Sequence, residues 1–136
     1  MSDFTIHNLR DVKDSAPDFG FGDHQEAHFA TDALQAERTG FSYHVVKPGR
    51  RQGFGHRHEQ AEEVYVIVGG SGRIKLDDEI RDVGRLDAIR IAPAVTRAFE
   101  AGPDGLEVVA FGARHEGDGE LEPGFWPEDD PTPAAG

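Results

Sequence analysis

The sequence predicts an all-β fold, a sandwich or barrel of about eight strands, on two observations. From Gly40 to about Ala113, short segments rich in β-branched and aromatic residues are broken at short intervals by Gly, Pro or Asp, the pattern of strands joined by turns. Several segments, Val64 to Val68 above all, are apolar at every position instead of alternating, so neither face of those strands is expected to meet water.

In order, the segments are FSYHVVK after Gly40, GFGHRH, EEVYVIVG, GRIKLDD, EIRDVG, LDAIRIAP, VTRAFEAG and LEVVAFGA. Eight is the strand count of a jelly roll. PGR at Pro48 to Arg50, GGSG at Gly69 to Gly72 and DDE at Asp77 to Glu79 are the expected turns, using the fixed φ of proline, the positive φ open to glycine and the Asx turn of aspartate. Residues 1–38 mix Phe4, Phe19, Phe21 and Phe29 with Gly, Asp and His and read as a wrapping arm, with a short helix possible over Thr31 to Arg38. Residues 39–115 form the expected barrel and residues 116–136 a tail.

The 136-residue length suits one domain with a real core. With no cysteine, disulfides, thiolate metal sites and a catalytic cysteine are excluded. The N-terminus has no basic and apolar leader, and no long uncharged apolar run occurs, so a cytoplasmic protein without a membrane partner is the expectation. The net charge of −12 argues against a nucleic-acid partner. About −7 of it falls in residues 116–136, which hold seven acidic residues and no Lys or Arg. The simplest meaning is a solvated terminus, although the adjacent Phe125 and Trp126 predict that part of the tail docks.

The chemistry concentrates in GFGHRHEQAEEVYVIVGG, Gly53 to Gly70. On a strand His56 and His58 point to the same face, because side-chain direction repeats every two residues. Glu63 shares its parity with Tyr65 and Ile67 on the next strand, and a tight connection would bring its carboxylate opposite the imidazoles. Two imidazoles and one carboxylate suit Fe, Mn, Ni or Zn while leaving positions open for substrate.

These residues resemble the first motif of the cupins, small jelly-roll barrels. In that motif a glycine precedes H-x-H by five residues, a glutamate follows after three or four, and a glycine after six more. Here His56, His58, Glu63 after four residues and Gly70 after six match, while Gly49 stands with six residues between it and His56. In the second cupin motif a histidine normally supplies a fourth metal ligand. The corresponding stretch, Leu86 to Ala101, departs at every named position: Leu86 and Ala94 replace glycines, Ala92 the proline, Arg97 the histidine and Ala101 the asparagine. The resemblance therefore implies the barrel, and a homodimer, without the full four-ligand site.

By the resemblance Arg97 enters the barrel near Glu63. A guanidinium cannot ligate a metal and stays charged. Three arrangements stay open: a three-ligand metal centre in which Arg97 holds an anionic substrate group; a metal-free pocket organised by a Glu63–Arg97 ion pair; and pocket histidines with no ligand role. His44, on the preceding strand, is a further pocket candidate, and Tyr65 and Phe99 are core residues that would shape the pocket. His24 and His28 stand four apart but lack a helix to make them a metal pair, and His115 is read as a rim residue. The functions in competition are a cupin binding a small anionic or oxygen-rich molecule, as a metal-dependent dioxygenase or isomerase; a non-enzymatic ligand sensor; and a scaffold built for subunit contact.

Overall fold

A computed structural model describes residues 3–115 and 117–127; the acidic residues Glu116 and Glu128 to Asp130 lie outside it. The chain forms eight strands: β1 (Gln25–Phe29), β2 (Thr39–Val46), β3 (Phe54–His58), β4 (Glu63–Leu76), β5 (Glu79–Gly84), β6 (Ala88–Ile91), β7 (Arg97–Ala113) and β8 (Gly119–Pro123). Every pairing is antiparallel. The order β1-β2-β7-β3-β8, with β4 joining β7 to β5 and β6, curls into a barrel. This is the all-β jelly roll that the segment pattern predicts.

The eight strands are not the eight segments read from the sequence. GGSG is no turn: β4 runs through it as one strand of 14 residues, and β7 likewise unites VTRAFEAG and LEVVAFGA into 17. The glycines instead serve a close approach. A Cβ on Gly70 would lie 2.0 Å from the carbonyl oxygen of Gly105, and one on Gly72 2.0 Å from that of Glu100. The β4–β7 register shifts at this point, between Ile67 and Gly69 and between Gly70 and Gly72, as bulges do where a long strand bends.

β1 and β8 make up the number. β1 lies within the arm and pairs with β2 from Gln25↔Val46 to Phe29↔Ser42. Asp14 fixes the arm across it, accepting from the backbone N–H of Ala27 at 2.9 Å and of Ala16 at 3.0 Å. The Thr31 to Arg38 segment forms hydrogen-bonded turns rather than a helix, with Gln35 at φ 56°. Short 3-10 turns occur at Leu9–Asp11 and Ala16–Phe19 instead.

β8 lies in the tail and pairs with β3 from Phe54↔Pro123 to His58↔Gly119. Beyond it Trp126 is 8% exposed, donates from its indole N–H to the Gln52 carbonyl at 2.9 Å, and lies under the Arg51 guanidinium, 4.6 Å from the ring centre. Lys75 sits over the Phe125 ring at 3.6 Å. Arg51 and Arg73 both pair with the fully buried Glu100, so the tail covers a charge network that stitches β7 to its neighbours.

The core packs Val46, Tyr65, Ile67, Ile74, Phe99 and Leu106 inside the barrel, together with Val83, Ile91 and Val108. Among the described residues no helix is long and apolar enough to cross a membrane.

Candidate metal and ligand site

β3 and β4 do not pair with each other, β3 bonding to β7 and β8 and β4 to β5, β6 and β7, so the HRH and EVYV stretches meet across the barrel rather than as neighbouring strands. His56 and His58, on the same face of β3, have ring centres 5.4 Å apart at 89°. Glu63, the first residue of β4, brings Oε1 to 3.0 Å from His58 Nε2 and 3.6 Å from His56 Nε2. Tyr65, two residues on, reaches both: its hydroxyl is 3.1 Å from Glu63 Oε1 and 3.1 Å from His56 Nε2.

The loop between the two strands is held from the tail. The Asp118 carboxylate accepts backbone N–H bonds from Glu59, Gln60 and Ala61 at 2.9–3.1 Å and stands 3.6 Å from His58 Nδ1. This buttress was not legible in the sequence, because it joins residues nearly sixty positions apart.

Arg97 opens β7 directly opposite His56. Its side chain is 0% exposed. The guanidinium donates to Glu63 Oε1, to Tyr65 Oη at 3.4 Å, and to the carbonyls of Val95 at 2.8 Å and Pro93 at 3.3 Å. It therefore faces protein groups behind the cavity wall rather than the cavity itself. Phe99 lies behind the wall as well, edge-on to Tyr65 with centroids 5.1 Å apart.

The electrostatics follow from this packing. Burial alone would raise the Glu63 carboxyl, but contacts with His56 and His58 and the Arg97 charge more than offset it and hold it well below the usual carboxylate range. Burial pushes His56 down, aided by Arg97 and opposed by Glu63, so its imidazole is neutral at pH 7 and keeps a lone pair. Burial, with Glu63 beside it, pushes the Tyr65 hydroxyl up, so it remains a donor.

These side chains form the polar end of a cavity of about 320 Å³, at the small end of the range for ligand pockets, about 300–1,000 Å³. His44 joins it from β2, its Nε2 2.8 Å from Ser42 Oγ. The apolar lining comes mainly from outside the barrel motif: Phe19 and Phe21 from the arm, Phe29 from β1, Phe54 from β3 and Leu121 from β8. The arm phenylalanines were visible as a cluster of rings in a polar stretch, but nothing local tied them to the site. His24 lies in a turn, and His28 is on β1 with both ring nitrogens engaged, by the Val12 carbonyl at 2.7 Å and Glu26 at 2.8 Å. His115 edges a second depression that shares Phe29, Ser42, His58 and Glu63 with the first.

No protein-family model matches the sequence, and no curated protein matches it. Solved structures do. The polyketide cyclase RemF from Streptomyces resistomycificus superposes with a TM-score of 0.72 at 19% identity over 92% of this chain and 88% of that one. A cupin protein from Bacteroides fragilis gives 0.67 at 22% identity over 86% and 89%. A variant of the B. subtilis oxalate decarboxylase gives 0.67 at 20% identity over 85% of this chain, which spans only 33% of that one. The chain has the cupin fold. Leu86, matched to a glycine of the second cupin motif only by the sequence resemblance, adopts the left-handed φ of 73°.

Proposed function

We propose that this chain is a small-molecule-binding cupin in which His56, His58 and Glu63 hold a divalent transition metal at the polar end of the cavity. The observation that carries the reading is the convergence of one ligand atom from each residue to within 4.8 Å of one another. Metal bonds of about 2.1 Å at tetrahedral or octahedral angles put adjacent donors roughly 3.0–3.4 Å apart. The spacings of 3.0 and 3.6 Å to Glu63 Oε1 bracket that range. A neutral His56 and an ionised Glu63 are the protonation states that ligation needs, and Fe, Mn, Ni and Zn all accept this donor set.

When bound, such an ion supplies Lewis-acid or oxygen-activating chemistry to a ligand in the cavity. The chain's own residues do the rest. Arg97 holds the Glu63 carboxylate in place, as ligating carboxylates are commonly held by a hydrogen-bonding partner, at the cost of a positive charge close to the site. Tyr65 keeps a donor between His56 and Glu63. In calorimetric titration of protein stripped by chelator, Mn(II) or Ni(II) is expected to bind at one site per chain, and His58→Ala to lose it.

A second reading is favoured by one observation: Arg97 donates to the same Glu63 oxygen that faces both imidazoles. If that ion pair takes the place of the metal, the cavity is a metal-free binding site and His56 and His58 are hydrogen-bonding groups within it. A stripped protein that takes up no metal yet is stabilised by its ligand would establish this reading in place of the first.

A further inference from the structure

The walls of the cavity specify the kind of molecule it takes. Phe19, Phe29 and Leu121 line it while remaining 66, 55 and 61% exposed. Large apolar side chains left exposed together around one concavity mark a binding surface rather than a solvated one. Phe21 and Phe54 extend the same wall inward, with ring centroids 4.5 Å apart at 44°, an arrangement that leaves ring faces and edges available to a further ring.

Beside these side chains the lining offers only neutral and acidic polar groups, among them His44, His56, His58, Glu63, Tyr65 and Ser42. No Lys or Arg lines the cavity among the described residues, and the Arg97 guanidinium is turned to Glu63, Tyr65 and two carbonyls. A small polyanion would meet no cationic side chain here and would leave the phenylalanines against water.

We infer that the cavity takes an uncharged, ring-bearing organic molecule with an oxygen substituent at one end, the ring lying among Phe19, Phe21, Phe29, Phe54 and Leu121 and the oxygen directed at His56, His58 and Glu63. This deepens the small-molecule reading above and rests on it, but not on the metal. The arm and β8 then set ligand choice, while the barrel supplies the polar end.

The test is calorimetric titration of 2-naphthol into stripped and into metal-loaded protein, with oxalate titrated into the stripped protein as the polar comparison. Binding of 2-naphthol and not oxalate is expected, weakened at least tenfold in Phe19→Ser/Phe29→Ser, whose exposed side chains can be replaced without opening the core; unchanged melting confirms that. Equal affinity in the double variant, or oxalate bound in place of 2-naphthol, overturns the inference. So does a wild-type dimer that ignores 2-naphthol and becomes monomeric in the double variant, since the rings would then serve a subunit contact. Binding of 2-naphthol by protein that takes up no metal leaves this inference standing and removes the metal centre; uptake of metal by protein that ignores 2-naphthol does the reverse.

Discussion

Arg97 and Glu63 form an ion pair in which the guanidinium is 0% exposed while the carboxylate keeps 18% of its surface open at the cavity. The cation is buried behind the site and the anion is presented to it. Removing the cation leaves Glu63 beside Tyr65 without its charge partner. Breaking a buried pair from one side costs about 3–5 kcal/mol, and the partial exposure of Glu63 places Arg97→Ala at about 3 kcal/mol, read from urea denaturation.

Arg97→His has a different expected outcome. Position 97 pairs directly with His56 across β3 and β7, so an imidazole there joins the existing donors and removes the repelling charge. Affinity for Ni(II) or Mn(II) is expected to rise by tenfold or more in titration calorimetry. Unchanged affinity would show that position 97 does not face the metal.

Trp126 is the chain's single tryptophan, buried against Gln52 and Arg51. Truncating a buried tryptophan costs about 3–5 kcal/mol, and Trp126→Ala is expected to fall within that range. Intrinsic fluorescence provides a direct check, since a docked indole emits to the blue and should shift red at low urea if the tail detaches before the barrel unfolds.

His44 gives the fold a pH dependence. Burial pushes its imidazole down to about 4 from the ordinary 6.5, with His56 adding to the effect and Glu63 opposing it. Between those values the unfolded chain binds a proton that the native chain refuses, so stability falls as pH drops from about 6.5 to 4 and is unaffected by this group above that window. The full loss is about 3 kcal/mol. His44→Gln should flatten that part of a melting-temperature profile; a slope equal to wild type would contradict the assignment.

Leu86 pays for its left-handed backbone without packing in return, being 66% exposed at φ 73°. Left-handed geometry costs an L-residue about 1–2 kcal/mol, and glycine's extra freedom in the unfolded chain takes back about 0.5–1 kcal/mol. Leu86→Gly is therefore expected to stabilise the protein by about 0.5–1 kcal/mol in the same denaturation measurement.

Much of this was legible in the residues, and the gaps have physical reasons. His56, His58 and Glu63 lie within eight positions, so strand parity and one short loop suffice to bring them together. Arg97 and Glu63 could be placed near each other through the cupin resemblance, but not which way the guanidinium would turn, since that depends on the Val95 and Pro93 carbonyls. β1 and β8, QEAHF and GELEP, contain no β-branched residue and become strands by pairing with β2 and β3 rather than by propensity. GGSG misled because glycine serves equally a turn and a close approach of two strands; only the positions of Gly105 and Glu100 decide. The phenylalanine wall depends on arm, barrel and tail meeting, which no local pattern encodes.

The central claim is most directly tested by elemental analysis of protein purified without a histidine tag, alongside His58→Ala and Glu63→Gln. Close to one equivalent of Fe, Mn, Ni or Zn per chain, lost in both variants, is the expected result. No metal in the wild type after purification in metal-supplemented buffer, or metal retained in both variants, would contradict the assignment of His56, His58 and Glu63 as its ligands.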